Sequence, residues 1–175
     1  VQVSSAKGTI VEIALIGNGA IAGFVQQALS AKGVHVFAHL LRPERLAETQ
    51  KLESPDITLV SSVADLPHGI THLVDCAGHQ GLADHGPAAL RAGLDVITVS
   101  IGALADPRLH AELTTAALES NSRLHLASGA IGALDALRAA RNGRLDIVRY
   151  IGRKPQLRWI GSPAEKHFAL QRTLP

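Results

Sequence analysis

Aromatic residues are scarce in this sequence, and cysteine and methionine are scarcer. Aromatics make up 3% of the 175 residues, so the core must be built from Ala, Val, Leu and Ile, and a base-stacking nucleic-acid surface is not expected. Cys76 is the single cysteine, which excludes an intrachain disulfide and favours a cytoplasmic, reducing compartment. Because the chain has no methionine and begins with valine, we expect either a processed start or a fragment.

Long runs of one charge or of apolar residues are also missing. The 17 basic and 15 acidic residues give a net charge of +2, and the basic residues are dispersed rather than clustered. No apolar stretch approaches the roughly 18 residues that a membrane span needs. The sequence therefore predicts neither a nucleic-acid nor a membrane partner. Since 46% of the residues are hydrophobic, it also excludes a disordered chain.

Strand-like and helix-like hydrophobic periods alternate along the chain. Strands are predicted at 10–16, 34–41, 57–63, 71–77, 94–101, 123–127 and 145–151. Helices are predicted between them, at about 20–32, 42–52, 82–92, 107–119 and 131–142, and the first presents Ile21, Phe24, Val25, Ala28 and Leu29 on one face. This order predicts the α/β class. It indicates a Rossmann doubly wound parallel sheet over 1–128 and the start of a second, incomplete α/β unit at 129–175.

A glycine pattern, G-x-G-x-x-A followed by glycine, separates the first strand from the first helix. Gly17 permits a tight turn, Gly19 lets the backbone approach a pyrophosphate, and the small residues up to Gly23 let the helix pack closely on the sheet. The N–H groups of Ala20 and Ile21, at the helix start, would then bind the phosphates of NAD or NADP. The alternative is a glycine turn in a βαβ unit that binds no ligand.

The end of the second strand bears on the choice of coenzyme. Sites that prefer NAD usually carry an acidic residue there, whereas this chain has Leu40, Leu41 and Arg42, with no acid before Glu44. Arg42 could bind the 2′-phosphate of NADP or lie against the adenine; alternatively it is an exposed arginine that starts a helix. The sequence favours acceptance of NADP, with use of both coenzymes left open.

Small residues also dominate the loops after later strands, where coenzyme contacts are expected. The candidate coenzyme-binding residues are Cys76, Ala77, Gly78 and His79 after the fourth strand, and Ser100 and Gly102 after the fifth. Cys76 could instead be a nucleophile, although a small packed side chain is its more usual role. His79 could be a polar positioning group near the nicotinamide or a loop histidine without a role. No cluster has metal-ligand spacing, so no metal is predicted.

Several segments together resemble the L-aspartate dehydrogenase family. These are "IALIGNGAIAG", "DCAGHQGLADHGPAALRAGLDVITVSIGALADP", "SGAIGALDALRAAR" and "YIGRKP", and the resemblance covers about 13–165. It implies NAD(P)-dependent oxidation of L-aspartate to iminoaspartate, which hydrolyses to oxaloacetate and ammonia or feeds NAD biosynthesis. It also implies that the domain beginning at 129–175 forms the substrate pocket and the contact of a homodimer.

Carried over by residue, the resemblance assigns coenzyme contacts to the dinucleotide glycines and to the backbone amide of Ala130. The family's catalytic histidine, and an asparagine that helps to hold the coenzyme, lie beyond the matched segment, and His167 lacks their motif. The catalytic residue is therefore unassigned, and we expect an incomplete chain that binds a dinucleotide better than it turns over aspartate. Arg153 and Lys154 are candidate partners of the substrate carboxylates, or else surface charges before a turn.

Three alternatives to an aspartate dehydrogenase stay open at the level of sequence. The first is a nucleotide-binding module that binds NAD(P) without turnover. The second is a related enzyme with another small acidic substrate, such as a homoserine dehydrogenase or a dihydrodipicolinate reductase. The third is a methyltransferase, since these also use glycine turns, but they normally have an acidic residue after the second strand.

Overall fold

A computed structural model of the chain describes residues 11–49, 57–127, 134–149, 151–153, 155, 159–160 and 167. The chain divides into two compact units, Val1–Ala133 and Leu134–Pro175. The first unit contains the sheet and the glycine-rich corner. Ala130 and Lys154 lie outside the described residues, so their predicted roles are left as predictions.

The first unit is built on one parallel sheet. Its strands are β1 (Ile13–Ile16), β2 (Val36–Leu40), β3 (Thr58–Val60), β4 (His72–Asp75), β5 (Asp95–Thr98) and β6 (Leu124–Leu126). All neighbouring pairs are parallel, in the order β3-β2-β1-β4-β5-β6. This is the doubly wound arrangement expected from the sequence, and the fold prediction is confirmed. The strand order reverses between β1 and β4, so a crevice is expected at their carboxyl ends.

Helices connect the strands. They are α1 (Ala20–Ser30), α2 (Pro43–Thr49), α3 (His79–Arg91) and α4 (Pro107–Ser120), with α5 (Leu134–Ala140) in the second unit, and short 3₁₀ segments lie at Val63–Asp65 and Ile101–Ala105. The helix α4 begins as its sequence indicates: the Asp106 side chain accepts a hydrogen bond from the N–H of Arg108, and Pro107 occupies the first turn. The helix α3 begins earlier than predicted because Gly78, at φ +85°, turns the chain directly into it.

The core is made of small aliphatic side chains on both faces of the sheet. On one face Ile16 and Leu73 pack with residues of α3 and α4, including Leu82 and Leu113. On the other face Leu15, Ala22 and Cys76 belong to a separate buried cluster. Because each face is covered, the central strands are apolar along their length, as is typical of parallel sheets.

The predicted packing face of α1 is partly wrong. Ile21 and Phe24 are 56% and 72% exposed, whereas Ala22 is fully buried and the partly buried Val25 and Leu29 pack beside it. The helix is apolar over a wider arc than the sheet covers, so hydrophobic periodicity alone could not fix its rotation. Gly23 is also exposed, and a Cβ there would meet no described atom within 4 Å, so it does not serve close packing on the sheet.

The strand predicted at 145–151 is not found. Residues 144–149 and 151–153 belong to no helix or strand in the structure, and all of them are exposed. An apolar β-branched stretch becomes a strand only where a neighbouring strand pairs with it, and no such pairing is formed within the described part of the second unit.

Buried histidines make the stability of the fold depend on pH. His39 lies in β2 at 4% exposure, neither ring nitrogen has a hydrogen-bond partner, and burial lowers its pKa. Burial is also the main cause of the lowered pKa values of His72 and His85. Each ring is therefore neutral in the folded chain at a pH where the unfolded chain, with a pKa near 6.5, already binds a proton.

We expect the free energy of unfolding to fall as the pH drops below about 6.5, because protonation favours the unfolded chain. Each such histidine contributes a slope of at most about 1.4 kcal/mol per pH unit. The variant His39→Leu removes one contribution, so its stability should depend less on pH over this range. Urea unfolding of both proteins at pH 7.5 and pH 5.5 checks this. An equal loss of stability in parent and variant would contradict the assignment to His39.

Candidate coenzyme site

The site is centred on the turn from β1 into α1, and Gly17 makes that turn. Its φ of +90° lies in the region that side chains other than glycine rarely adopt. A Cβ at Gly17 would lie 3.2 Å from the Cβ of Ala77, in the loop after β4. The Gly17 N–H donates to the carbonyl of Leu40 at 2.8 Å, which ties the turn to the end of β2. Gly17 therefore shapes the corner through its backbone.

Gly19 leaves the start of α1 open. It is the N-cap residue, with ordinary dihedral angles and no side-chain cap, and a Cβ built on it would meet no described atom within 4 Å. The N–H groups of Ala20 and Ile21 lie in the first turn, where a helix supplies no acceptor of its own. The first turn also carries no acidic residue. A bare, positively polarised helix start of this kind suits an anion such as a diphosphate.

A cleft of about 390 Å³ opens at this corner, within the range of small-molecule sites. Its lining residues are Ile16, Gly17, Asn18, Gly19, Leu40, Leu41, Arg42, Arg45, Cys76, Ala77, Gln80, Gly81, Asp84 and His85. The carboxyl ends of β1, β2 and β4 thus meet where the strand order reverses. Five of the predicted coenzyme residues line the cleft, and Ala20, Ile21, Gly78, His79, Ser100 and Gly102 do not.

The β2 side of the cleft carries positive charge. Leu40 and Leu41 are buried, and the exposed Arg42 and Arg45 follow them. Both arginines line the cleft, whereas Glu44 does not. Arg45 was not expected from the sequence; its spacing of three from Arg42, at the start of a helix, is the signal that could have indicated it. This wall suits a phosphate better than a pair of ribose hydroxyls.

Cys76 lies at the floor of the cleft, where it is 8% exposed. Burial, followed by the neighbouring charge of Asp75, raises the pKa of its thiol to about 11. A thiol with this pKa stays protonated at neutral pH, and the thiolate is the nucleophilic form. The geometry therefore favours the interpretation of Cys76 as a small packed side chain over the alternative of a nucleophile.

A buried aspartate that the sequence did not single out joins two of the candidate loops. Asp75 ends β4, is 2% exposed, and lies opposite Thr98 at the end of β5. Its Oδ1 accepts from the N–H groups of Ala77 and Gly78, at 3.0 and 3.2 Å. Its Oδ2 accepts from the hydroxyls of Thr98 and Ser100, at 2.7 and 2.6 Å. One carboxylate thus holds both loops.

The same two loops also meet through His79 and Gly102. A Cβ on Gly102 would lie 2.8 Å from both Cε1 and Nε2 of His79, so the ring rests against bare backbone there. The loops after β4 and β5 therefore lie against each other, while their predicted contacts with a coenzyme stay predictions. By contrast, Arg153 belongs to the second unit, where it is exposed.

The described residues also bear on two other kinds of site. No group of three or more His, Cys, Asp or Glu side chains among them is placed to hold a metal ion. No helix in the described part of the chain is both long and apolar enough to cross a membrane.

The sequence of the first unit matches a known protein family. The family described as "Homoserine dehydrogenase, NAD binding domain" matches residues 15–127, which include the end of β1, the glycine corner and both loops held by Asp75. The chain belongs to this family. Membership confirms the expected nicotinamide coenzyme for this NAD-binding domain.

Curated relatives extend the similarity beyond this domain. The chain is 49% identical over 165 residues to the L-aspartate dehydrogenase of Ruegeria pomeroyi, covering 94% of the chain and 59% of that protein. It is 38% identical over 174 residues to the L-aspartate dehydrogenase of Ralstonia nicotianae, covering 94% of the chain and 64% of that protein. The resemblance found in the sequence is thereby confirmed. The chain spans about 60% of the length of these relatives.

Solved structures show the same fold at low sequence identity. The aspartate dehydrogenase of Thermotoga maritima matches with a TM-score of 0.57 and 21% identity, over 75% of this chain and 52% of that one. The WlbA dehydrogenase of Chromobacterium violaceum, solved with NADH and UDP-GlcNAcA, matches with a TM-score of 0.58 and 17% identity, over 78% and 41%. These similarities support the Rossmann arrangement of the NAD-binding domain.

Proposed function

We propose that the chain acts in an NAD(P)-dependent L-aspartate dehydrogenase, which removes a hydride from the Cα of L-aspartate and forms iminoaspartate. Iminoaspartate then hydrolyses to oxaloacetate and ammonia or feeds NAD biosynthesis. The observation that carries the proposal is the open helix start at Gly19, above a cleft whose size and lining suit a dinucleotide. The choice of substrate is supported by the identity to L-aspartate dehydrogenases across 94% of the chain.

The residues of the corner suit the diphosphate of a nicotinamide dinucleotide. Gly19 offers the space that a Cβ would fill, and the N–H groups of Ala20 and Ile21 supply donors to the diphosphate. Ile16 and Cys76 are both buried and give the cleft an apolar floor. When bound, the coenzyme supplies a hydride acceptor at C4 of its nicotinamide ring.

Binding of the two substrate carboxylates requires cations. Arg153 and Lys154 are proposed for this role because a guanidinium and an ammonium suit carboxylates. Arg153 is exposed in the second unit and so is accessible to a ligand. The role of a second domain at 129–175 in substrate binding is part of the same proposal.

The proposal includes a homodimer in the cytoplasm. Support for a contact surface comes from apolar side chains of the second unit that are 42–80% exposed, namely Leu145, Ile147, Val148 and Ile151. Support for a reducing compartment comes from the single cysteine, Cys76, which is free and buried.

A two-step experiment tests the function. NADH and NADPH are first titrated into the chain, and reduction of NAD⁺ and NADP⁺ is then followed with L-aspartate and with a panel including L-homoserine. Saturable coenzyme binding and reduction that depends on aspartate are expected. Binding without turnover would favour a nucleotide-binding module, and turnover of another compound would favour a homoserine dehydrogenase or dihydrodipicolinate reductase type of enzyme. Absence of coenzyme binding would contradict the proposal.

The positive wall of the cleft predicts a selective effect of Arg42→Ala. If Arg42 binds the 2′-phosphate, its removal should weaken NADPH binding about tenfold while NADH binding changes less than about twofold. Parallel fluorescence titrations with the two coenzymes measure this. The matched control is Arg91→Ala on α3, which removes an arginine that pairs with Glu112 outside the cleft. If Arg42→Ala weakens the binding of NADH and NADPH equally, Arg42 does not bind the 2′-phosphate.

A further inference from the structure

We propose that Asp75 is a positioning residue that locks the loops after β4 and β5 together to receive the nicotinamide half of the coenzyme. The inference deepens the proposed function and rests on it. Asp75 does not line the cleft and is 2% exposed, so it acts through the residues that it holds.

The hydrogen bonds of Asp75 explain why a carboxylate is needed at this position. A side chain ending in two acceptors can serve two backbone donors with one oxygen and two hydroxyl donors with the other. Asp75 does this for Ala77 and Gly78 on one side and for Thr98 and Ser100 on the other. An asparagine keeps the shape but has a single oxygen acceptor, so the Thr98 and Ser100 hydroxyls can no longer donate to this side chain, and the charge-assisted hydrogen bonds of the carboxylate are lost.

Thr98 completes the network from inside the sheet. It is 1% exposed, and its hydroxyl both donates to Asp75 and accepts from the N–H of Ser100 at 2.8 Å. The Ser100 hydroxyl, itself 5% exposed, is held by the same carboxylate. The start of the loop after β5 therefore depends on Asp75 through two routes, while Thr98 has no access to a ligand.

Cys76 and Ala77 of the loop after β4 line the cleft at the diphosphate corner, whereas Gly78 and Ser100 of the two locked loops do not. The corner is formed by the start of α1, whose open N–H groups depend on Gly17 and Gly19. The locked loops begin at the carboxyl ends of β4 and β5, on the far side of β1 from β2 and its arginines. A dinucleotide lying across the carboxyl ends of the strands thus has its adenine half toward β2 and its nicotinamide half toward the locked loops.

The test compares NADH with ADP-ribose, which keeps the adenine half and the diphosphate but lacks nicotinamide. We expect Asp75→Asn to weaken the binding of NADH about tenfold or more, and the binding of ADP-ribose by less than about threefold. Thr98→Val, which removes only the buried hydroxyl, should act in the same direction. Thr98→Ser, which restores the hydroxyl, should bind NADH about as tightly as the parent chain. Asp106→Asn, at the other end of the connection from β5 to α4, is the matched control.

Thermal unfolding of each variant establishes that binding is measured on folded protein, and Thr98→Val keeps the test available if Asp75→Asn does not fold. Parental NADH affinity in folded Asp75→Asn or Thr98→Val would overturn the inference. Equal loss of affinity for NADH and for ADP-ribose would also overturn the inference, because the carboxylate would then support the whole site rather than its nicotinamide half. A parent chain that binds NADH but does not oxidise aspartate would contradict the proposed function alone. A parent chain that binds neither ligand would overturn both.

Discussion

Replacing Gly19 with valine is expected to weaken NADH binding at least about tenfold, which corresponds to about 1.4 kcal/mol. The reason is steric: the valine side chain would fill the space through which a diphosphate reaches the N–H groups at the start of α1. The fold should tolerate the change, because Gly19 has ordinary dihedral angles and a Cβ there meets no described atom within 4 Å. Fluorescence titration with NADH measures the effect.

The matched control for this prediction is Gly23→Val, which makes the same replacement four residues further along. Gly23 is exposed on α1, and its Cβ position is also free of described atoms. This variant should bind NADH within about twofold of the parent chain, since it leaves the start of the helix unchanged. Parental affinity in Gly19→Val would contradict the placement of the diphosphate at this corner.

Replacing Gly81 with alanine is expected to lower the free energy of unfolding by about 2 kcal/mol. Gly81 is buried in the first turn of α3, and an added Cβ would lie 2.6 Å from the Cβ of Ala77 and 3.3 Å from Cγ2 of Ile16. The Ala77 Cβ is fixed to its backbone and cannot rotate away. The helix must therefore move from the sheet, and overpacking of this kind destabilises a core. Urea unfolding at neutral pH measures the loss.

Two further variants show whether this clash is the cause. Ala77→Gly in the Gly81→Ala background removes the atom that the new methyl group meets, so most of the lost stability should return. Gly23→Ala places the same methyl group at an exposed helical position and should raise stability by up to about 1 kcal/mol through helix propensity. If Gly81→Ala is as stable as the parent chain, the close approach of α3 to the β4 loop is wrong.

Local sequence patterns predicted the coenzyme corner because its requirements lie within a few residues of each other. The tight turn at Gly17, the bare backbone at Gly19 and the helix that follows are consecutive in the chain, and each has a recognised spacing. The strand order also follows from alternation and from the preference for right-handed crossovers. These features can be predicted without knowing which distant side chains are in contact.

The features of the site and fold that the sequence did not predict depend on contacts between distant residues. Asp75 and Thr98 become neighbours only through the register of β4 with β5, and Gly81 must be glycine only because α3 approaches Ala77 and Ile16. The rotation of α1 was misassigned because its apolar arc is wider than the surface that the sheet offers. An aspartate at the end of a buried strand, before small residues, was the one local sign of the network.

The most direct test of the account is a crystal structure of the chain grown with NADH. We expect diphosphate oxygens to lie within hydrogen-bond distance of the backbone N–H groups at the start of α1, with no side chain between them and Gly19. A diphosphate bound elsewhere on the chain, or a side chain occupying the corner beside a bound coenzyme, would contradict it.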